Sequence, residues 1–337
     1  MKHVVLYQDW LEGWQYGMLE ALEDEIIRQT GAERILVPEN RLEQRSKRME
    51  HGRRFQSLRK WLPKRSVQFE ADVAWHILMS PGDYNLDLFK NWYKNVRYRI
   101  VYVFDTLQPI EKALINAFSD DTFNIRITSF NDAVPYMEKI TGKKWYSIEQ
   151  GVPEHFFDNP DVLQRVIPFA SYGRRLPGFH KALLEFTESN NLYYDFSTHD
   201  GSVKTKYNSY MYRHYAWHVA HSLFNVCWPV EITDQRRAGT LNPITCRWFE
   251  VASSGTCIIG KKPKNSYFDE CLHPDLVIEI DPEAPKENIF KRLDTIWDNR
   301  DGYLRSAQHI RASNYERWTW KNRVERMLNL INQLKVL

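Results

Sequence analysis

A chain of 337 residues that is 43% hydrophobic and 26% charged is long enough for one large or two ordinary globular domains, and its balance excludes a disordered tail. A formal net charge of +3 is too small to define a partner for the whole molecule. Four cysteines, Cys227, Cys246, Cys257 and Cys271, form no C-x-x-C pair, which argues against zinc and against a disulfide framework; no stretch holds the roughly 20 apolar residues of a membrane span.

Residues 4–7 are a short apolar run, entered with no leader pattern before it, so a cytoplasmic protein is expected. A loop over 8–17 and a helix over 18–29 follow, with Gly31 as its C-terminal cap, and 34–37 is a second strand. Between 41 and 65 stand ten basic residues (41, 45, 47, 48, 53, 54, 59, 60, 64 and 65) against Glu43 and Glu50. Phe55, Leu58, Trp61 and Leu62 fall at helical spacing there, so part of the run is a basic amphipathic helix. Its basic face is open to solvent, to anionic lipid at the inner face of a membrane, or to nucleic-acid phosphates. Strands are expected over 71–78, 99–104 and 123–128, and a helix over 131–140.

The pattern then restarts. Residues 166–172, 191–196, 223–227, 256–259 and 276–280 read as strands, with helices over 180–189, 286–297 and 322–334. Strands alternating with helices imply parallel pairing, so the fold class is α/β with two successive units joined near 151–158. Open parallel sheets bind ligands beyond the carboxyl ends of their strands, and two such sheets facing each other make a cleft with a ligand site on each lip. Aromatic residues make up 14% of the chain; most serve packing, and some are available to stack on sugars or bases.

Four pieces, in order, carry a resemblance. They are 128–136 leading into 150–157, the strand-end loop 172–178, the segment 242–261, and the tail 309–328. Over most of 100–330 the sequence resembles glycosyltransferases of the GT-B architecture. It is most similar to the CgeB-like bacterial transferases of family-1 and family-4 type and to the phage β-glucosyltransferases that modify DNA. The resemblance implies two facing Rossmann-like domains with a cleft between them. The expected division is an acceptor-side domain over 1–155, a nucleotide-sugar domain over 156–315, and a C-terminal helix over 316–337 for which a crossing back to the first domain is one option. Sugar transfer from a nucleotide-diphosphate sugar, a UDP-sugar first, to a hydroxyl of a glycan or lipid-linked saccharide is then the expected activity, with a DNA glucosyltransferase or an inactive glycan- or nucleotide-binding protein as alternatives.

On this reading Glu250, in a helical stretch after the Asn242-Pro243 turn, holds the ribose hydroxyls, and Arg247 grips the diphosphate with its planar fork; a plain Arg–Glu helix pair is the alternative. Gly173 lets the backbone approach phosphate, with Arg174 or Arg175 neutralising it, and Gly255 and Lys261 complete the donor element. No Asp-x-Asp motif is present to ligate a metal, and none is expected; nor is a cofactor besides the donor. Asp105, closing a strand, is the expected general base or else a helix cap, while Asp9, Trp10 and Trp14 are candidates for the acceptor lip. His76 and His199 read as structural. Many retaining relatives carry Glu eight residues before the second Glu, where this chain has Asn242, so the stereochemistry stays open.

Overall fold

The computed structural model describes residues 1–7, 17–37, 65–66, 69–84, 86, 89–90, 92–107, 115, 117–154, 157, 159–197 and 208–335. The candidates Asp9, Trp10, Trp14 and His199, and the basic run 41–65 apart from Arg65, lie outside them. Chain order is β1 (His3–Tyr7), α1 (Gly17–Thr30), β2 (Glu33–Leu36), β3 (Arg65–Ser66), β4 (Val73–Leu78), β5 (Phe89–Lys90), β6 (Tyr98–Val103), β7 (Ile125–Thr128), α2 (Val134–Thr141) and β8 (Tyr146–Ser147). Then come β9 (Ile167–Ser171), α3 (Pro177–Ser189), β10 (Tyr194–Phe196), α4 (Asn208–Ala220), β11 (Ser222–Cys227), α5 (Val230–Thr233), α6 (Gln235–Ala238), α7 (Cys246–Ser253) and β12 (Cys257–Gly260). The chain closes with α8 (Phe268–Cys271), β13 (Val277–Glu279), α9 (Lys286–Asp298), α10 (Arg300–Trp318) and α11 (Trp320–Lys335).

Among the described residues these strands form two larger parallel sheets, ordered β2-β1-β4-β6-β7-β8 and β10-β9-β11-β12-β13, beside the short pair β3-β5. Each larger sheet is doubly wound. The first reverses between β1 and β4, the second between β9 and β11, and these reversals open the crevices where such sheets take ligands. The strands are apolar on both faces because both faces are covered. Val5, Trp75, Ile77, Ile100 and Tyr102 point into one core, while Val4, Leu6, Ala74, Leu78, Val101 and Val103 point into another, as the two-residue period requires. His76 belongs to the second side as a neutral histidine: its Nδ1 lies 3.1 Å from the Leu6 carbonyl, its ring stacks on Phe123, and burial lowers its pKa to about 4.

The first of those cores runs on into the second half of the chain. Leu22 and Ile26 of α1, Ala216 and Val219 of α4, Phe249 of α7 and Val324 and Met327 of α11 share it. Helix α11 lies on the first sheet, with Trp320 edge-on to Tyr102 of β6 and to Phe104 just after it. Its Arg323 and Arg326 hold Glu149 at 3.2 and 2.6 Å. The expected helix over 322–334 is thus longer, and α10 runs before it, interrupted at Thr319, whose extended backbone pairs with Val152.

Candidate functional site

Strand β9 ends at Ser171, at the reversal of the second sheet, and the chain turns through Tyr172 and Gly173. Gly173 has φ +94°, a conformation that side-chain-bearing residues rarely adopt, and its N–H donates to Ser197 Oγ at 3.1 Å. A Cβ at this position would come 3.4 Å from the Arg247 guanidinium, so loop and arginine meet there.

Arg247 sits in the first turn of α7, which begins after Thr245 as expected. Its guanidinium stacks 4.6 Å from the Tyr215 ring centroid, donates to the Tyr215 hydroxyl, and lies 3.8 Å from Glu250 one turn on. Glu250 is only 1% exposed. Its carboxylate accepts from Tyr212 at 2.8 Å and Tyr215 at 2.9 Å, and burial raises its pKa against the pull of Arg247. The groups that cover it, Tyr215 and Arg247, are part-exposed. Asp195 of β10 accepts from the Tyr172 hydroxyl and contacts His218 Nδ1, both at 2.7 Å, and the rings of Tyr172 and Tyr215 meet edge-on. Tyr172 falls in the strand-end loop already singled out, whereas Tyr215 and His218 carry no motif, although three residues apart on α4 they share a helix face that such spacing exposes.

Asp105 follows β6 at the carboxyl edge of the first sheet, its N–H donating to the Met79 carbonyl at 2.7 Å. The side chain is bound across the cleft: Arg237 donates to its Oδ2 at 2.5 Å. Burial raises the Asp105 pKa, opposed by Arg237 and Arg174. Arg174 stands 3.6 Å from Asp234, and Asp234 caps α6 by accepting from the Arg237 backbone N–H at 3.1 Å. Two further bonds span the cleft, from the Asn242 N–H to Asp132 at 2.6 Å and from Asn265 Nδ2 to Asn131 at 3.1 Å. Arg237 carries no local signal in the sequence; it stands in α6, the second short helix after β11.

The remaining predicted residues lie apart from this meeting point. Arg175 is tied to the Ser197 carbonyl at 2.6 Å and stacks on Phe196. Gly255, with φ +61°, ends α7 at the amino end of β12, where a Cβ would fall 2.7 Å from Asn159 Oδ1. Lys261 follows the opposite, carboxyl end of that strand and lines a cavity of about 310 Å³ with Asn242 and Glu231. Among the described residues no group of three or more His, Cys, Asp or Glu side chains is gathered as a metal site, and no helix is long and apolar enough to cross a membrane.

No family model and no curated protein matches the sequence. Solved structures do share its fold. Sucrose-phosphate synthase from Thermosynechococcus elongatus is 11% identical with a TM-score of 0.56, all of both chains being covered. Anabaena Alr3699/HepE, in complex with UDP-glucose, is 10% identical with a TM-score of 0.54, covering 99% of this chain and 100% of that one. A glycosyltransferase from Rickettsia africae is 10% identical with a TM-score of 0.52 and 98% of each chain covered. The fold is therefore GT-B, two facing Rossmann-like domains, as the resemblance implied.

Proposed function

We propose that the chain transfers a sugar from a nucleotide-diphosphate sugar to a hydroxyl of a glycan or lipid-linked saccharide. The observation that carries this reading is the meeting of Gly173, Arg247 and Glu250 beyond the carboxyl end of β9. A left-handed glycine gives phosphate access to backbone N–H groups, and an arginine fork beside it supplies charge. A UDP-sugar is the favoured donor because the Anabaena neighbour holds UDP-glucose.

In this reading the diphosphate lies against Arg247 and Arg174, and the ribose reaches Glu250 by replacing the Tyr215 hydroxyl with its own. The acceptor hydroxyl takes the place of Arg237 on Asp105, which removes its proton as the bond to the sugar forms. Arg237, so released, joins the cations that offset charge developing on the leaving diphosphate, the part a divalent metal plays in other enzymes. We retain Asp105 as the base because burial moves its pKa upward, toward the range where a carboxylate accepts a proton more readily.

The test is turnover with a panel of nucleotide sugars and the Asp105→Asn variant. Asn keeps the shape and cannot accept the proton, so turnover should fall roughly 10²–10⁴-fold with UDP affinity retained. Undiminished turnover in Asp105→Asn removes this residue as the base.

A further inference from the structure

The cavity that Lys261 lines lies at the carboxyl ends of neighbouring strands β11 and β12, built from α5, the 239–242 turn and the segment after β12. At about 310 Å³ it stands at the lower end of the ~300–1,000 Å³ range of small-molecule pockets, enough for one monosaccharide. Asn242 of its lining donates its backbone N–H to Asp132 across the cleft, and Gln235 shares the short helix of Arg237, so the cavity borders the seam between the two sheets.

Its polar groups are of two kinds. Glu231 is 8% exposed, and its Oε1 accepts the Lys264 backbone N–H at 3.0 Å. The other oxygen, Oε2, is buried with no hydrogen-bond partner. A buried acceptor left without a donor is costly, so this oxygen calls for a hydroxyl or N–H from a ligand. The second kind is cationic. Lys262 is committed to Asp269 at 3.1 Å, but among the described residues no carboxylate lies within ion-pair distance of the Lys261 or Lys264 ammonium groups. The charge of Lys264 acts on Glu231, and Lys261 and Lys264 are both exposed at the cavity rim, so a cavity with one unpartnered buried acceptor and two rim lysines fits a ligand carrying hydroxyls and a negative group together.

We propose that this cavity is a subsite for an acidic sugar, with a ring hydroxyl donating to Glu231 and a carboxylate or phosphate held by Lys261 and Lys264. The inference rests on the transferase reading for its place beside the point of transfer. The acidic ring has two sources, a uronate carried by the nucleotide donor or a phosphorylated acceptor.

The experiment is calorimetric titration of the whole chain with UDP, UDP-glucose, UDP-glucuronate, glucose and glucose 6-phosphate, for wild type, Lys261→Ala/Lys264→Ala and Glu231→Gln. A charge-assisted contact is worth about 10- to 100-fold in affinity, so one acidic ligand should exceed its neutral counterpart by at least ~10-fold. A preference for UDP-glucuronate identifies the donor as the source, and one for glucose 6-phosphate over glucose identifies the acceptor. The double lysine variant should abolish the preference with UDP affinity unchanged, and Glu231→Gln should weaken the sugar-bearing ligand without touching UDP. If UDP binds and acidic and neutral partners bind alike, or if either variant leaves the sugar-bearing ligand unaffected, the subsite is wrong while the nucleotide site stands. If UDP fails to bind but glucose 6-phosphate binds through the lysines, the subsite stands and the donor reading falls.

Discussion

Asp105 is subject to opposed influences, burial that favours its neutral form and two arginines that favour its charge, and burial is the stronger. If it is the base, the acid limb of kcat/KM against pH should lie higher than a free aspartate would give, and the limb should vanish in Asp105→Asn. A limb at or below the free-aspartate position would mean that Arg237 governs the group. Glu250 makes a different demand. Replacing it with Gln keeps its volume and removes the charge, so UDP affinity should drop by about 10-fold or more, the worth of a charged hydrogen bond. Tyr215→Phe takes away the hydroxyl that covers it and should leave UDP affinity equal or tighter; a loss would make Tyr215 a ligand contact itself. Glu23 gives a test of the fold alone. Burial in α1, against the pull of Arg34 at 3.4 Å, raises its pKa from 4.5 to about 8. The native state then keeps a proton that the unfolded chain releases, so stability declines as pH rises from about 4.5 to about 8. Glu23→Gln should flatten the fall in Tm between about pH 5 and pH 8; an unchanged slope assigns it elsewhere.

At the scale of elements, much was legible. The buried strands announce themselves as short apolar runs, and α7 follows the turn at Asn242-Pro243 as its sequence predicts. Helix α10 was not read because only Leu304, Ala307, Ile310 and Trp318 of its 19 residues are buried, too thin a stripe to stand out among charged neighbours. The site was legible where one segment carries it, as with Arg247 and Glu250 three residues apart. It was not where the pairing is long-range: Asp105 and Arg237 are 132 residues apart, and nothing local links them. The same holds for α11 and Glu149. Arg323 and Glu149 are each only 5% exposed, so Glu149→Gln leaves a guanidinium buried with no opposing charge and should cost about 3–5 kcal/mol, read by urea unfolding. A cost near zero would mean that Tyr102 and Trp320 carry that contact without the charges.

For the whole molecule, two doubly wound sheets turn their carboxyl edges toward each other, and one continuous core of α1, α4, α7 and α11 backs them. The bonds Asp105–Arg237, Asp132–Asn242 and Asn131–Asn265 join the two edges at the cleft, between the loop at Gly173 and the cavity at Glu231. A transfer reaction needs donor and acceptor brought to such a seam, with cations on the leaving group and a carboxylate opposite. The transfer reaction proposed for this fold depends on a nucleotide lying at Gly173 and Arg247. The direct measurement is the thermal shift of the wild type and Arg247→Ala with UDP and a panel of nucleotide sugars, since a ligand bound only to the native state raises Tm. The account predicts a rise of a few degrees for the wild type with at least one of these ligands and little or none for Arg247→Ala. Equal shifts in both proteins, or no shift with any nucleotide, would contradict it.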